Sequence, residues 1–362
     1  MKILYVITGL TLGGAEKVVI ELAEKMHILG NDVKIVYLKG EAVIRPQFDE
    51  IELIPLNLNK LFSIPKASKK YQSIIKEFKP DVVHAHMVHA NIFARVQKLF
   101  LPQHYLICTA HNANEGGTLR MFAYRLTNNY ANVNTNVSEE ATQAFKDKKA
   151  FKDSAITVYN GINLNKFQNK CDGLEVKKEL GLDLNTKVLL AVGRLHEQKD
   201  YPNLISAFNI LQQKEKCCNY KLLIVGDGDQ KNNIQQLINE LGLQNNIILL
   251  GRRNDVARLM SMADLFVLSS AYEGFGLVVA EAMAAKTYVV ATDAGGVKEV
   301  MSGFGKLVPP KKSDLLAQAM SEALSLSDSE KIQNNDLAYE HVIKNFDLDK
   351  IVEKWLKLYA KK

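Results

Sequence analysis

The sequence predicts an α/β protein made of two Rossmann-like domains, each a doubly wound parallel sheet, facing one another across a cleft. Three observations carry that expectation. A chain of 362 residues exceeds one ordinary core and fits two domains at ~100–200 residues each. Short β-branched runs alternate with helix-length amphipathic segments from end to end, the pattern of successive βαβ units. The strand pattern also stops near residue 160 and restarts near 186.

Taken in order, the strands of the first half read ILYVIT, DVKIVYL, IELIPL, DVVHAH, YLICTAH, NVNTNV and AITVYNG. Those of the second half read KVLLAVGR, KLLIVGDG, NIILLG, DLFVLSS, TYVVATD and GKLVP. Between the halves, INLNKFQNKCDGLEVKKELGLDLNT lacks a strand pattern, and its Asn, Asp and Gly content suits a linker with one short helix. The expected organisation is an N-terminal domain over 1–160, a linker over 161–185, a C-terminal domain over 186–345 and a last helix over 346–362. In that helix Asp347 is the expected N-cap, and Ile351, Trp355 and Leu358 share one face. Such a stripe needs an apolar partner, either on its own domain or by packing back on the N-terminal one.

Composition is that of an ordinary globular chain, 47% hydrophobic and 24% charged, with no biased tract that would suggest disorder. The net charge of +6 is uneven: residues 1–160 hold 20 basic residues against 15 acidic, so any acidic partner is expected on the first half. No nucleic-acid partner is expected. Cys108, Cys171, Cys217 and Cys218 show neither Cys-x-x-Cys spacing nor a histidine at zinc-ligand distance, so neither a metal knuckle nor a disulfide frame is suggested, and a reducing cytoplasm fits. The opening MKILYVITGLTLGGAE reads as a buried first strand, since no small-residue cleavage pattern ends its apolar run. No run approaches the ~20 apolar residues of a membrane span, so any membrane contact is expected to be peripheral, at the inner face.

In open α/β sheets ligands bind beyond the carboxyl ends of strands, so the turns there are where chemistry is sought. After the first strand, Gly13 and Gly14 let backbone approach a ligand and precede a helix whose first N–H groups suit an anion. This is not Gly-x-Gly-x-x-Gly, and a tight turn explains it equally well. KLLIVGDGDQ lacks the third glycine of a dinucleotide fingerprint, and no Walker sequence occurs, so hydride transfer and P-loop hydrolysis lose ground. Arg194 follows a strand, and Lys199 lies five residues on. A planar fork and a compact point charge make a suitable pair for a diphosphate, although two solvated surface charges are the plainer explanation.

In SAYEGFGLVVAEAMA, Glu273 ends a strand, Gly274 and Gly276 form the turn, and Phe275 to Leu277 supply the first amides of a helix. Glu281, one turn inside, can accept both hydroxyls of a ribose, while Glu273 can accept hydroxyls of a sugar beyond the phosphates. Helix-start acids favoured by the dipole would account for one Glu, but not for the glycine turn.

GGAE, TAHN, GRLHEQK, EGFGLVVAEAMA and ATDAGG, in this order and at these separations, resemble the retaining glycosyltransferases of family 4, whose fold is called GT-B, over nearly the whole chain. The resemblance implies that Arg194 and Lys199 clamp the diphosphate. It implies further that Glu281 holds the ribose and Glu273 the donor sugar, with Gly14 and the Phe275 to Leu277 amides lining the phosphate site. His111 matches the active-site histidine, with Asn112 beside it where Asp is commoner, and Asp200 follows Lys199 where Gly or Asn is commoner. The family needs no metal, and no cofactor is expected; the nucleotide-diphosphate sugar, a UDP-sugar in the first instance, is a substrate.

His84, His86 and His89 have no carboxylate cluster and are expected to line the acceptor side, His86 foremost. Arg252 or Arg253 is expected to touch base or phosphate, a surface role being equally open. Residues 60–79 carry Lys60, Lys66, Lys69, Lys70, Lys76 and Lys79 against Glu77 alone, beside Leu61, Phe62 and Ile64. With Lys66, Lys69 and Lys70 at its centre, this face suits either an anionic membrane or plain solvent.

The expected function is metal-independent, retaining transfer of a sugar to a hydroxyl of a glycan or lipid-linked acceptor in polysaccharide or glycoconjugate assembly. Three alternatives stand beside it: a sugar-nucleotide epimerase on the same fold, a non-catalytic partner subunit that binds nucleotide or membrane, and a glycosidase using Glu273 and Glu281 as its acid pair.

Overall fold

The structure, a computed structural model, describes residues 1–101, 104–113, 115–167, 173–215 and 218–361. Cys171 and Cys217 lie outside the described residues; Cys108 is a buried free thiol and Cys218 an exposed one. The chain forms two compact units, residues 1–161 with 348–362, and residues 162–347.

The first unit is built on a wholly parallel seven-stranded sheet: β1 (Lys2–Ile7), β2 (Asp32–Tyr37), β3 (Glu52–Pro55), β4 (Val82–His86), β5 (Tyr105–Ala110), β6 (Val133–Asn136) and β7 (Ile156–Thr157), in the order β3-β2-β1-β4-β5-β6-β7. β1 is a near-continuous apolar run, KILYVI, because helices cover both faces of the sheet, whereas β4 (VVHAH) and β6 (VNTN) carry buried polar side chains. On one face Tyr5, Ile7 and Ile107 pack with Val19 and Met26 of the helix Gly14–Ile28, and with Ile351, Trp355 and Tyr359 of the helix Leu348–Tyr359. On the other, Leu4, Val6 and Val83 pack with Ala67, Tyr71 and Ile75 of the helix Ile64–Phe78 and with Phe93 of the helix Val88–Lys98. The last helix is therefore part of the first unit, and its apolar stripe closes a core laid down more than 200 residues earlier.

The second unit holds a parallel six-stranded sheet: β8 (Lys187–Val192), β9 (Tyr220–Val225), β10 (Ile247–Gly251), β11 (Leu265–Leu268), β12 (Val289–Thr292) and β13 (Lys306–Val308), in the order β10-β9-β8-β11-β12-β13. Both sheets reverse their winding direction beside a central strand, and the loops at the carboxyl ends of those strands face the same side of each sheet. The segment 161–185 is not a free connection. Its helix Gly173–Glu179 buries Val176, and Lys177 Nζ donates to the Thr186 carbonyl at 2.8 Å and pairs with Asp264 at 3.6 Å, which fixes it to the second unit.

Candidate functional site

In the second unit the loops after β8 and β11 are stitched together by one backbone and two side-chain-to-backbone hydrogen bonds. The Ala271 N–H donates to the Gln198 carbonyl at 2.9 Å, Gln198 Nε2 donates to the Tyr272 carbonyl at 3.0 Å, and Ser269 Oγ donates to the Lys199 carbonyl at 2.8 Å. This places Lys199 against Glu273: Nζ lies 2.5 Å from Oε1, and Ser270 Oγ donates to the same oxygen at 2.7 Å. The pair is largely buried, the two side chains keeping 18% and 10% of their exposure. Two residues expected to grip different parts of one ligand are thus each other's partners here. The ammonium still has two further hydrogens to offer.

Arg194 stands at the exit of β8 with its guanidinium exposed and, among the described residues, without a carboxylate partner. Asp200 adopts a left-handed conformation, φ 46°, and caps the helix Tyr201–Lys214. That conformation is the reason Gly or Asn suits the position, and Asp, which also tolerates it, meets the same demand.

The glycines explain themselves by close approach. A Cβ on Gly295, φ 59°, would lie 2.0 Å from the Glu273 carbonyl oxygen, so the ATDAGG turn needs glycine to pass behind Glu273. A Cβ on Gly226 would lie 1.9 Å from the Gly193 carbonyl oxygen, and one on Gly228 would lie 2.3 Å from that of Leu195. The VGDG run therefore clears the exit of β8. Gly276, φ 88°, starts the helix Leu277–Ala284. The first helical amide is thus that of Leu277; Phe275 precedes the helix and buries its ring against Phe346, with centroids 5.2 Å apart. Glu281 is 6% exposed within that helix. Arg252 is exposed and pairs with Asp227 at 3.2 Å, while Arg253 pairs with Asp255 at 2.6 Å.

In the first unit, Gly13 and Gly14 open the helix Gly14–Ile28. An added Cβ on Gly14 would meet nothing within 4 Å, so packing does not require that glycine, whereas one on Gly13 would come within 2.3 Å of the buried Glu16 carboxylate, which Thr11 Oγ1 holds at 2.9 Å. His111 follows β5. It is 9% exposed, and its Nε2 lies 3.0 Å from Nδ1 of His86. His86 is buried behind it rather than lining an open surface, and its own Nε2 has no hydrogen-bond partner among the described residues. A cavity of about 10 Å³, room for roughly one water, lies against both rings together with Asn160, Leu348 and Trp355.

His84 is buried as well. Its Nδ1 meets the Tyr359 hydroxyl at 2.7 Å, its Nε2 meets Thr109 Oγ1 at 2.7 Å, and its ring packs on Trp355 at 4.5 Å. Burial lowers the pKa of all three rings, that of His111 to about 4, so they are neutral at pH 7 and one shared proton links His86 to His111. Asn112 presents its carbonyl to Asn136 Nδ2 at 3.2 Å.

Sequence reasoning passed over Ser270, whose hydroxyl fixes Glu273, and Glu115, whose carboxylate accepts the His111 N–H at 2.7 Å. The signal for Glu115 was an acid four residues beyond a singled-out histidine in a glycine-rich turn. Lys66, Lys69 and Lys70 are exposed on the helix Ile64–Phe78, opposite its buried Ala67, Tyr71 and Ile75; Lys70 Nζ donates to the Pro55 carbonyl at 2.8 Å. Among the described residues no group of three or more His, Cys, Asp or Glu is placed to hold a metal ion, and no helix is long and apolar enough to cross a membrane.

Residues 12–166 match the family model described as Glycosyltransferase Family 4, and residues 173–338 that described as Glycosyl transferases group 1. The chain is 27% identical to the N-acetylgalactosamine-N,N'-diacetylbacillosaminyl-diphospho-undecaprenol 4-alpha-N-acetylgalactosaminyltransferase of Campylobacter jejuni, over 97% of each chain. It is 29% identical to the putative teichuronic acid biosynthesis glycosyltransferase TuaC of Bacillus subtilis, over 85% of this chain and 80% of that one. A solved glycosyltransferase from Rickettsia africae ESF-5 superposes with a TM-score of 0.86 at 25% identity, over 99% of this chain and 98% of that one. Matches that run from residue 12 to residue 338, relatives along nearly the full length and the shared pair of parallel sheets make this chain a glycosyltransferase of the GT-B fold.

Proposed function

We propose that the chain is a retaining transferase that moves a sugar from a nucleotide-diphosphate sugar, UDP-sugars foremost, to a hydroxyl of a glycan or lipid-linked acceptor, without a metal ion or cofactor. The observation that carries this reading is the cluster at the carboxyl end of the second sheet. Arg194 is exposed at the exit of β8, and the loops after β8 and β11 bring Lys199 against Glu273, just before the helix that buries Glu281. A leaving diphosphate there meets the guanidinium fork, the remaining Lys199 hydrogens and the first amides of the helix, donors that are already in place as its charge develops. Glu273 remains available to sugar hydroxyls through its second oxygen, and Glu281 is the residue proposed to hold the ribose. No side chain in the cluster stands out as a nucleophile for a covalent intermediate, so attack from the face the diphosphate leaves is the reading adopted. In the first unit, His111 is the catalytic residue, Gly13 and Gly14 keep space open for the phosphates, and His86 and Asn112 support the acceptor side. The names of the Campylobacter and Bacillus relatives, one with a diphospho-undecaprenol-linked acceptor and one from teichuronic acid synthesis, favour a lipid-linked or polymer acceptor.

A panel of nucleotide diphosphates and their sugars, scored by thermal shift and then by nucleotide release, tests the reading. Binding is expected for one base, with release unaffected by EDTA. A strict requirement for added manganese or magnesium would contradict the proposed leaving-group chemistry. Calorimetry divides the glutamates: Glu281→Ala should weaken binding of the free nucleotide diphosphate, and Glu273→Ala should leave it nearly intact while transfer falls.

The exposed Lys66, Lys69 and Lys70 face is proposed to dock on an anionic cytoplasmic leaflet, each lysine contributing ~1 kcal/mol at low salt. Flotation with anionic but not neutral vesicles, lost when the three become Glu, is the expected result. A charge-reversed protein that floats as well as wild type removes the docking face.

A further inference from the structure

We propose that Glu115, as a carboxylate, is the positioning residue of His111: it clamps the backbone of that histidine and releases it on taking up a proton. The inference rests on the catalytic role given to His111 above.

The carboxylate bridges two donors. Oε1 accepts the His111 N–H at 2.7 Å and Oε2 accepts the Tyr124 O–H at 2.5 Å. Tyr124 is itself fixed from behind, since its hydroxyl accepts from Asn91 Nδ2 at 2.8 Å and the same amide donates to the Thr109 carbonyl at 2.8 Å. One acid thus ties the residue after β5 to the helices Val88–Lys98 and Gly117–Thr127. The charges facing it are Arg95 from the first of these helices and Arg120 from the second; on the sheet side stand the neutral His111 and His86, and Lys148 Nζ holds the nearby Ala113 carbonyl at 3.3 Å. Among the described residues none of these cations forms an ion pair with Glu115.

A proton has no good place on this carboxyl. On Oε1 it displaces the His111 N–H; on Oε2 it confronts a hydroxyl that is already donating there and accepting from Asn91. The charge is also costly to keep. The residue retains partial exposure, yet burial of its carboxyl pushes the pKa up to about 7, against the pull of the Tyr124 hydroxyl, the His111 N–H and the two arginines. Because the folded value exceeds the unfolded one of about 4.3, the folded state holds more protons across that window. This group therefore removes stability as pH rises from about 4.3 to 7, and the full cost is present above it. Glutamine would fill the same space without that cost, so a carboxylate retained beside His111 points to a use for its charge.

Selective ¹⁵N-histidine labelling reduces the amide spectrum to eight histidine signals, and the His111 signal is identified by its loss in His111→Ala. In wild type the His111 amide should shift with a midpoint near pH 7 between pH 5.5 and 8.5; in Glu115→Gln it should stay flat. At pH 8, Glu115→Gln should melt above wild type and yet release UDP roughly 10- to 100-fold more slowly from UDP-glucose, UDP-galactose and UDP-N-acetylglucosamine offered together, the scale of a small misplacement at a reacting centre. A purely structural acid predicts the reverse order of melting temperatures. An amide that does not titrate, or a Glu115→Gln enzyme as fast as wild type at pH 8, overturns the proposal. Wild-type release by His111→Ala would remove the catalytic role of His111 instead, and leaves the amide titration as the separate test of the clamp.

Discussion

Arg194 and Lys199 differ in what surrounds them, and their substitutions should differ accordingly. Arg194 is exposed, so Arg194→Ala is expected to change stability by no more than about 0.5 kcal/mol while transfer falls by ~100-fold or more. Lys199→Ala strands a buried carboxylate and should cost about 3–5 kcal/mol of stability as well as activity, less whatever the Ser270 hydroxyl retains. Adding Glu273→Gln to Lys199→Ala should restore most of that stability and none of the activity. Chemical denaturation alongside nucleotide release reads both; a Lys199→Ala protein of wild-type stability would mean the ion pair contributes little. The residue types and their spacing were legible in GRLHEQK and SAYEGFG, but the pairing of Lys199 with Glu273 was not. It depends on two loops 70 residues apart being stitched by the Gln198, Ala271 and Ser269 contacts. The glycines of KLLIVGDGDQ, which lacks the third glycine of a dinucleotide fingerprint, have another cause that the sequence did not show: the backbone of Gly193 and Leu195 passes within reach of a Cβ on Gly226 and Gly228.

At the scale of elements, alternation of apolar runs was enough to read thirteen parallel strands, because a strand buried on both faces needs little else. What each strand end would bury was harder to read. HAHMVH looked like an acceptor-facing stretch; β4 turns His84 inward to Tyr359 and Trp355, and sets His86 against His111. These rings are buried neutral, with pKa values below the ordinary 6.5, to about 4 for His111 and likewise for His104. The unfolded chain binds protons on them below about pH 6.5 and the folded chain does not, so the stability they contribute is present above that pH and drains away toward pH 4. The melting temperature should fall between pH 7 and 5 by calorimetry, Glu115 opposing the trend over part of that range; Glu115→Gln should fall more steeply than wild type. A melting temperature that is level or rising over this range would show that these histidines are not held neutral.

At the scale of the molecule, the two sheets follow from the pattern of the chain, whereas the composition of the first unit does not. Trp355 and Tyr359 meet Tyr5 and His84 across more than 270 residues, a distance over which no local periodicity carries information. Trp355→Ala should cost about 3–5 kcal/mol. A chain ending at residue 347 should lose the melting transition of the first unit and keep that of residues 162–347, two transitions that calorimetry can separate; retention of both would show that the last helix adds nothing to the fold. During synthesis this interleaving imposes an order of events. Residues 348–359 emerge only after all of the second unit, roughly 10–40 s behind the first unit's sheet at ~5–20 residues per second. Through that interval Tyr5, His84 and the apolar face around them wait uncovered beside a neighbour that is already free to fold, and this nascent stage is where a chaperone would find its hold.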